Sequence, residues 1–75
     1  MKKLNVAIVG LSFGLEFVPI YLEHPDVESL TLVETNVNLL RTVQERYGIP
    51  DENCFTDLQQ VLDNLNIDAV HLVTP

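Results

Sequence analysis

Short apolar runs and longer segments of helical pattern alternate along the chain. The apolar runs are Leu4–Val9 and residues 30–33, 54–56 and 69–73. They are short and rich in β-branched residues, which is typical of strands that are covered on both faces, as in parallel sheets. Apolar residues at helical spacing predict helices at residues 13–23 and 37–47, and a third that begins after Asp57 and ends near residues 64–66.

Residues that typically begin, end or interrupt helices support these boundaries. Asn36 is a suitable N-cap for the second helix, and Gly48 supplies a left-handed residue at its end. Asp57 is the predicted N-cap of the third helix, and Gln60 three residues later resembles a capping box. Pro19 lies inside the first helix and removes a backbone donor, so we expect a kink or a late start there.

The order β-α-β-α-β-α-β restricts the topology. With right-handed crossovers, it predicts an α/β fold, a Rossmann-like doubly wound parallel sheet that is partial. We expect about four strands in the order 3-2-1-4 and three helices within one unit, residues 1–75.

Composition and charge exclude several classes of protein. The 75 residues are 47% hydrophobic, and the formal net charge of −7 argues against nucleic acid or an anionic membrane as partner. The apolar run after Lys3 is too short for a signal peptide or a membrane span.

A lone Cys54 favours a reduced, cytoplasmic protein with an inert thiol. His24 and His71 lack metal-ligand spacing, so we expect no metal; His71 is predicted to be a core histidine.

A glycine-containing loop follows the first predicted strand. Gly10 permits a sharp turn into a helix whose first N–H groups can receive a pyrophosphate. The dinucleotide-binding fingerprint is G-x-G-x-x-G/A. Only Gly10 matches one of its three small-residue positions. Ser12 places a Cβ where phosphate should approach, and Leu15 places bulk where helix and strand should pack closely. Phe13 and Gly14 complete the loop, and Gly14 relieves part of this crowding. The alternative is a purely structural glycine turn.

An acidic residue, Glu34, stands 24 residues after Gly10, at the end of the second strand. A carboxylate there can accept both ribose hydroxyls of an adenosine and repels a 2′-phosphate. Thr35 follows it, and no Arg or Lys occurs at residues 35–40, so the site favours NAD over NADP. The alternative is a solvated acid at a strand end. Thr74 ends the last strand beside the position where ligands bind such sheets, unless it is merely a strand-terminal residue. The predicted cofactor-binding residues are therefore Gly10, Ser12, Phe13, Gly14, Glu34, Thr35 and Thr74.

The whole chain resembles the N-terminal domain of the Gfo/Idh/MocA oxidoreductases. The resemblance is carried by five segments of the sequence: residues 6–17, Val-Ala-Ile-Val-Gly-Leu-Ser-Phe-Gly-Leu-Glu-Phe; residues 24–28, His-Pro-Asp-Val-Glu; residues 34–36, Glu-Thr-Asn; Tyr47-Gly48 followed by Phe55-Thr-Asp57; and residues 68–75, Asp-Ala-Val-His-Leu-Val-Thr-Pro. It implies a longer parent protein that transfers hydride to or from a hydroxyl-bearing carbon of a sugar- or inositol-like small molecule. The family's catalytic Lys, in a Glu-Lys-Pro motif, would lie beyond residue 75. We therefore expect a cofactor-binding fragment that has no catalytic residue of its own.

Two other functions remain open at the level of sequence. An S-adenosylmethionine-binding methyltransferase also uses a glycine-rich first loop and an acid after the second strand, although the Thr74-Pro75 ending counts against it. A non-catalytic module for ligand sensing or protein association would fit Ser12 and Leu15 in the loop. In any of these cases the fourth strand is expected to expose an apolar edge, which predicts a homo-oligomer.

Overall fold

The chain folds into four parallel strands with helical crossovers. The computed structural model describes residues 3–63 and 66–73. The strands are β1 (Leu4–Val9), β2 (Val27–Val33), β3 (Cys54–Phe55) and β4 (Ala69–Leu72), and the helices are α1 (Leu11–Gly14), α2 (Val18–Glu23), α3 (Val37–Tyr47) and α4 (Leu58–Leu62). The sheet order is β3-β2-β1-β4, with every pair parallel. The predicted class, strand order and three helical crossovers are confirmed.

The first crossover contains a break at the position of the proline. Single 3₁₀ turns lie at Leu15–Phe17, between α1 and α2, and at Asp51–Asn53, before β3. In the first of these, the N–H of Val18 donates to the carbonyl of Leu15. Pro19 has no N–H to offer that carbonyl, so the chain tightens before the proline and α2 restarts with Pro19 in its first turn. The proline therefore disturbs the helix, as expected, in the form of a 3₁₀ turn; the predicted late start is wrong, because the helical segment begins at Leu11, two residues before the predicted start.

The second strand is longer than its apolar run. It begins at Val27, three residues before the predicted position 30. The pairing shifts register here, because Leu4 pairs with Val27 whereas Asn5 pairs with Ser29. Glu28 is left as the extra residue of a local irregularity and is exposed. The apolar pattern therefore could not reveal this end of β2.

Side-chain and glycine caps fix the ends of α3. The Asn36 side chain accepts a hydrogen bond from the Leu39 N–H at 3.1 Å. Gly48 adopts the left-handed conformation, with φ 66°, and its N–H donates to the Gln44 carbonyl. Both predicted caps of α3 are present, so this helix has a defined start and stop.

Asp57 caps α4 in a different way from the capping box that its sequence predicts. Its carboxylate accepts from the Gln59 N–H at 2.9 Å, and the Gln60 N–H goes to the Asp57 backbone carbonyl. The predicted N-cap is therefore confirmed, but the reciprocal bond with Gln60 is not formed in the structure.

Two apolar layers cover the sheet. On one face, the core cluster combines residues of β1 and β2 with residues of α1, α2 and α3 and with Ile49, which follows α3: Val6, Ile8, Leu11, Val18, Leu30, Leu32, Leu40, Val43 and Ile49. On the other face, Ala7 and Val33 pack against Val61 of α4. Alternate residues of each strand point to opposite faces, and this explains the division. On β4, Val70 and Leu72 pair with Ala7 and Val9 but stay 40% and 60% exposed.

The contacts of the two histidines and the cysteine are those of structural residues. The His71 Nδ1 lies 2.9 Å from the Tyr21 hydroxyl, and its ring meets the Phe17 ring edge-on at 4.7 Å. His71 is therefore a satisfied, half-buried core histidine, as predicted. His24 is exposed and accepts the Asp26 N–H. Burial, with a smaller effect of nearby Asp51, raises the pKa of the Cys54 thiol, which disfavours the reactive thiolate.

Candidate functional site

A cavity of about 660 Å³ opens at the carboxyl edge of the sheet. This is the size of a small-molecule site, and the carboxyl edge is where open α/β sheets bind ligands. The cavity lies where the residues after β1, β2 and β3 converge. It is lined by Val9, Gly10, Ser12, Val33, Glu34, Thr35, Thr56, Asp57, Leu58 and Val73.

Gly10 turns the chain from β1 into α1 in a conformation that favours glycine. Its φ is 94° and its ψ 103°, in a region that L side chains rarely adopt. There is also no room for a side chain at Gly10, because a Cβ there would overlap the backbone carbonyl of Val73. Gly10 is therefore fixed by its backbone conformation and by the close approach of the chain after β4.

Gly14 packs the helix against the sheet. A Cβ there would lie 2.8 Å from the Ile8 Cγ2 methyl and 3.5 Å from the Cγ2 of Val73. The fingerprint assigns this close packing to position 15, which Leu15 fills. In the structure Gly14 makes the close contact, and Leu15 packs against the margin of the core. The expected crowding at Leu15 is therefore avoided by moving the small residue one position earlier.

Two backbone N–H donors in the first turn of α1 have no acceptor within the described part of the chain. The Gly14 N–H donates to the Gly10 carbonyl at 3.1 Å and is the first intrahelical bond. The N–H groups before it have no helical partner. Leu11 donates to Glu34, whereas no described residue accepts from the N–H of Ser12 or Phe13. Two adjacent N–H groups therefore remain free at the start of the helical segment.

Glu34 is buried, only 8% exposed, although it directly follows β2 at the carboxyl edge of the sheet. Its own N–H donates to the Phe55 carbonyl at 3.0 Å, which holds it beside β3. Its Oε1 accepts from the Leu11 N–H at 2.7 Å, and its Oε2 accepts from the Asn36 N–H at 2.8 Å. It is therefore not the solvated acid of the alternative interpretation.

The structure brings together four of the seven predicted site residues, namely Gly10, Ser12, Glu34 and Thr35, around the cavity. The Phe13 side chain is 58% exposed and does not line the cavity, and Gly14 faces the core. The seventh, Thr74, lies outside the described residues.

Part of the cavity wall was not predicted from the sequence. Thr56 and Asp57 line it, and the sequence had suggested only a strand end and a helix cap for them. The signal was their position directly after β3, because parallel strands end at the same edge of a sheet.

The lining of the cavity is acidic. Glu34 and Asp57 carry carboxylates, and none of the described lining residues is basic. Within residues 3–63 and 66–73, no group of three or more His, Cys, Asp or Glu residues could hold a metal ion. The chemistry that this site can perform is therefore hydrogen bonding, by backbone donors at Ser12 and Phe13 and by carboxylate acceptors at Glu34 and Asp57.

Comparison with known proteins decides the family. The profile of an oxidoreductase family with an NAD-binding Rossmann fold, Gfo/Idh/MocA, matches residues 4–75. The chain belongs to the Gfo/Idh/MocA family. This confirms the resemblance seen in the sequence, and it assigns the fold to NAD-binding oxidoreductases and not to methyltransferases.

A solved structure agrees with the family. The crystal structure of aldose-aldose oxidoreductase from Caulobacter crescentus, complexed with glycerol, superposes with a TM-score of 0.78 at 29% sequence identity. The match covers 99% of this chain and 23% of the other, so the Gfo/Idh/MocA chain described here spans about a quarter of that length. No curated protein sequence matches it. Among the described helices, none is long and apolar enough to cross a membrane.

Proposed function

We propose that this Gfo/Idh/MocA chain binds the adenosine and pyrophosphate part of a dinucleotide, with NAD favoured over NADP. The observation that carries the proposal is the buried Glu34 carboxylate, which lies at the carboxyl end of β2 beside the Gly10 turn and borders the cavity. An acid in this position accepts the ribose hydroxyls of NAD in dinucleotide-binding sheets.

The pyrophosphate would lie at the start of the helical segment. The unpaired N–H groups of Ser12 and Phe13 offer two donors, and the positive end of a helix favours an anion. Gly10 keeps a side chain out of the turn. Ser12 lines the cavity with its side chain exposed, so its Cβ or its hydroxyl would meet the phosphates.

Charge supports NAD as the preferred cofactor. The 2′-phosphate of NADP would add negative charge beside Glu34, and Asp57 borders the same cavity. With no basic residue among the described lining, nothing there would offset the repulsion. Thr35, the next residue after Glu34, is uncharged and lines the cavity without changing this balance.

The activity of the whole protein would need residues outside this chain. When bound, the nicotinamide supplies the hydride, and the protein supplies binding and orientation. In the parent protein we propose hydride transfer to or from a hydroxyl-bearing carbon of a sugar- or inositol-like substrate in the cytoplasm. The similarity to an aldose-aldose oxidoreductase supports this substrate class. Residues 1–75 would form the N-terminal part of the dinucleotide-binding domain, without catalytic groups.

Calorimetric titration tests the cofactor proposal. The wild-type chain should bind NAD more tightly than NADP and should not bind S-adenosylmethionine. Glu34→Ala should weaken NAD binding by about 1–3 kcal/mol, because hydrogen bonds to a charged group are lost, and should narrow the difference between NAD and NADP. Glu28→Ala is the matched control, since Glu28 is an exposed acid near the opposite end of the same strand. Equal effects of the two substitutions on both cofactors would contradict the assignment.

A further inference from the structure

Both carboxylate oxygens of Glu34 accept hydrogen bonds from backbone N–H groups. Oε1 accepts from Leu11, the first residue of α1, and Oε2 accepts from Asn36, the N-cap of α3. One buried side chain thus bonds the two loops that follow β1 and β2. These are the loops that line the cavity with Gly10, Ser12 and Thr35.

We infer that Glu34 is a positioning residue that holds the glycine loop and the β2–α3 loop together in the ligand-free protein. The role extends beyond contact with ribose, and it matters for binding only if the proposed cofactor function holds. The hydrogen bonds continue into α3, because the Asn36 that Glu34 holds accepts in turn from the Leu39 N–H. The two helix starts are therefore coupled through one carboxylate.

A carboxylate suits this role better than any neutral side chain. It accepts at about four lone-pair positions and donates at none. The N–H groups of Leu11 and Asn36 occupy two of these lone-pair positions, so the others stay available to ribose hydroxyls. Glu34 can therefore position the loops and bind a ligand at the same time. A glutamine of the same length has a single acceptor oxygen, and its NH₂ group would face one of the two backbone N–H groups.

The positioning role also determines which backbone donors remain for a phosphate. Because Glu34 takes the Leu11 N–H, the free donors of the first turn are those of Ser12 and Phe13. Without the carboxylate, Leu11 would lose its only acceptor among the described residues, and the orientation of the loop would be less restricted.

The wild-type protein provides the first test. At 8.5 kDa, the chain is small enough for NMR measurement of couplings transmitted across hydrogen bonds. In the absence of any nucleotide, we expect couplings from the ¹⁵N of Leu11 and of Asn36 to the side-chain carboxyl carbon of Glu34, with both amide protons shifted downfield. Absence of both couplings in the folded protein would overturn the inference.

The second test is the isosteric substitution Glu34→Gln, with Glu28→Gln as the control for the change in charge. Amide hydrogen exchange at Leu11 and Asn36 should accelerate roughly tenfold or more in Glu34→Gln, in proportion to the loss of a charge-assisted bond. Amides of the β1–β2 ladder, such as that of Leu32, should change much less, which separates loop release from general destabilisation. A uniform acceleration at all amides, or no acceleration at Leu11 and Asn36, would contradict a positioning role.

The two proposals can fail separately. If the couplings are present but NAD does not bind, the cofactor proposal is wrong and Glu34 still positions the loops. If NAD binds but the couplings are absent, Glu34 acts through the ligand alone and the positioning role is wrong.

Discussion

Gly10 is the position at which the structure makes the sharpest quantitative prediction, through the substitution Gly10→Ala. Two independent features oppose a methyl group there. The backbone has φ 94° and ψ 103°, and the added Cβ would overlap the Val73 carbonyl. To relieve the overlap, the chain after β4 must move away from β1, which stretches the 2.8 Å bond from the Val73 N–H to the Val9 carbonyl.

The expected cost follows from these two terms. An unfavourable backbone conformation and the loss of one backbone hydrogen bond together amount to about 1.5–4.5 kcal/mol. A chain of this length has an unfolding free energy of roughly 4–11 kcal/mol. Gly10→Ala should therefore remove a large part of the stability and lower Tm by about 10 °C or more.

Gly48→Ala is the matched control. Gly48 also has a positive φ, 66°, but a Cβ there would meet no atom within 4 Å. Its substitution should cost only about 1 kcal/mol, the backbone penalty of the left-handed region. Urea unfolding of both variants measures the difference. If Gly10→Ala lowers the unfolding free energy no more than Gly48→Ala does, the close approach of the Val73 carbonyl does not contribute to the cost, contrary to the prediction.

Four further predictions concern packing, capping, the loop and the sheet edge. Gly14→Ala should destabilise by about 1–3 kcal/mol in urea unfolding, because the new methyl would press on Ile8. Asn36→Ala should cost about 1 kcal/mol in the same assay, through loss of the α3 cap. Ser12→Gly should tighten, or leave unchanged, NAD binding by calorimetry, because phosphate could approach the backbone more closely. Sedimentation at micromolar concentration should show self-association, since no described strand pairs with the outer edge of β4 (Ala69–Leu72), which exposes apolar side chains.

For each of these four predictions, one result would contradict the physical reason given. An unchanged unfolding free energy in Gly14→Ala would mean that α1 withdraws from β1 at little cost, and the same result in Asn36→Ala would mean that water replaces the cap. A clear loss of NAD affinity in Ser12→Gly would assign a donor role to the Ser12 hydroxyl. A monomer of 8.5 kDa in sedimentation would contradict association through β4.

The sequence predicted the parts of the fold that depend on local pattern. Apolar runs located the four strands, and the handedness of crossovers gave their order. Asn36 and Gly48 marked the ends of α3 because caps act on neighbouring backbone groups. The start of β2 was missed because Glu28 and its neighbour Ser29 interrupt the apolar pattern at a register shift.

The sequence indicated where the candidate site lies, at the carboxyl edge of the sheet, but it did not indicate the contacts within it. The acid at the end of β2 was found from the distance between Gly10 and Glu34 in the sequence. Its hydrogen bond from the Leu11 N–H was not found, because Leu11 stands 23 residues earlier and reaches Glu34 only through the tertiary fold. The sequence indicated that Gly14 relieves part of the crowding in the loop. Its close contact with Ile8 was not predicted, since it depends on α1 beginning at Leu11.

Mapping of NAD binding onto the ¹⁵N-labelled chain tests whether the cavity at the carboxyl edge of the sheet is the dinucleotide site. Titration with NAD should shift the amide resonances of Ser12, Thr35 and Thr56, which line the cavity at the carboxyl edge, and that of Phe13, whose N–H is a free donor beside Ser12. The shifts should be weaker on addition of NADP. The proposed dinucleotide site is wrong if NAD shifts none of these amides, or if its strongest effects fall on Leu4 and its neighbours at the opposite end of the sheet.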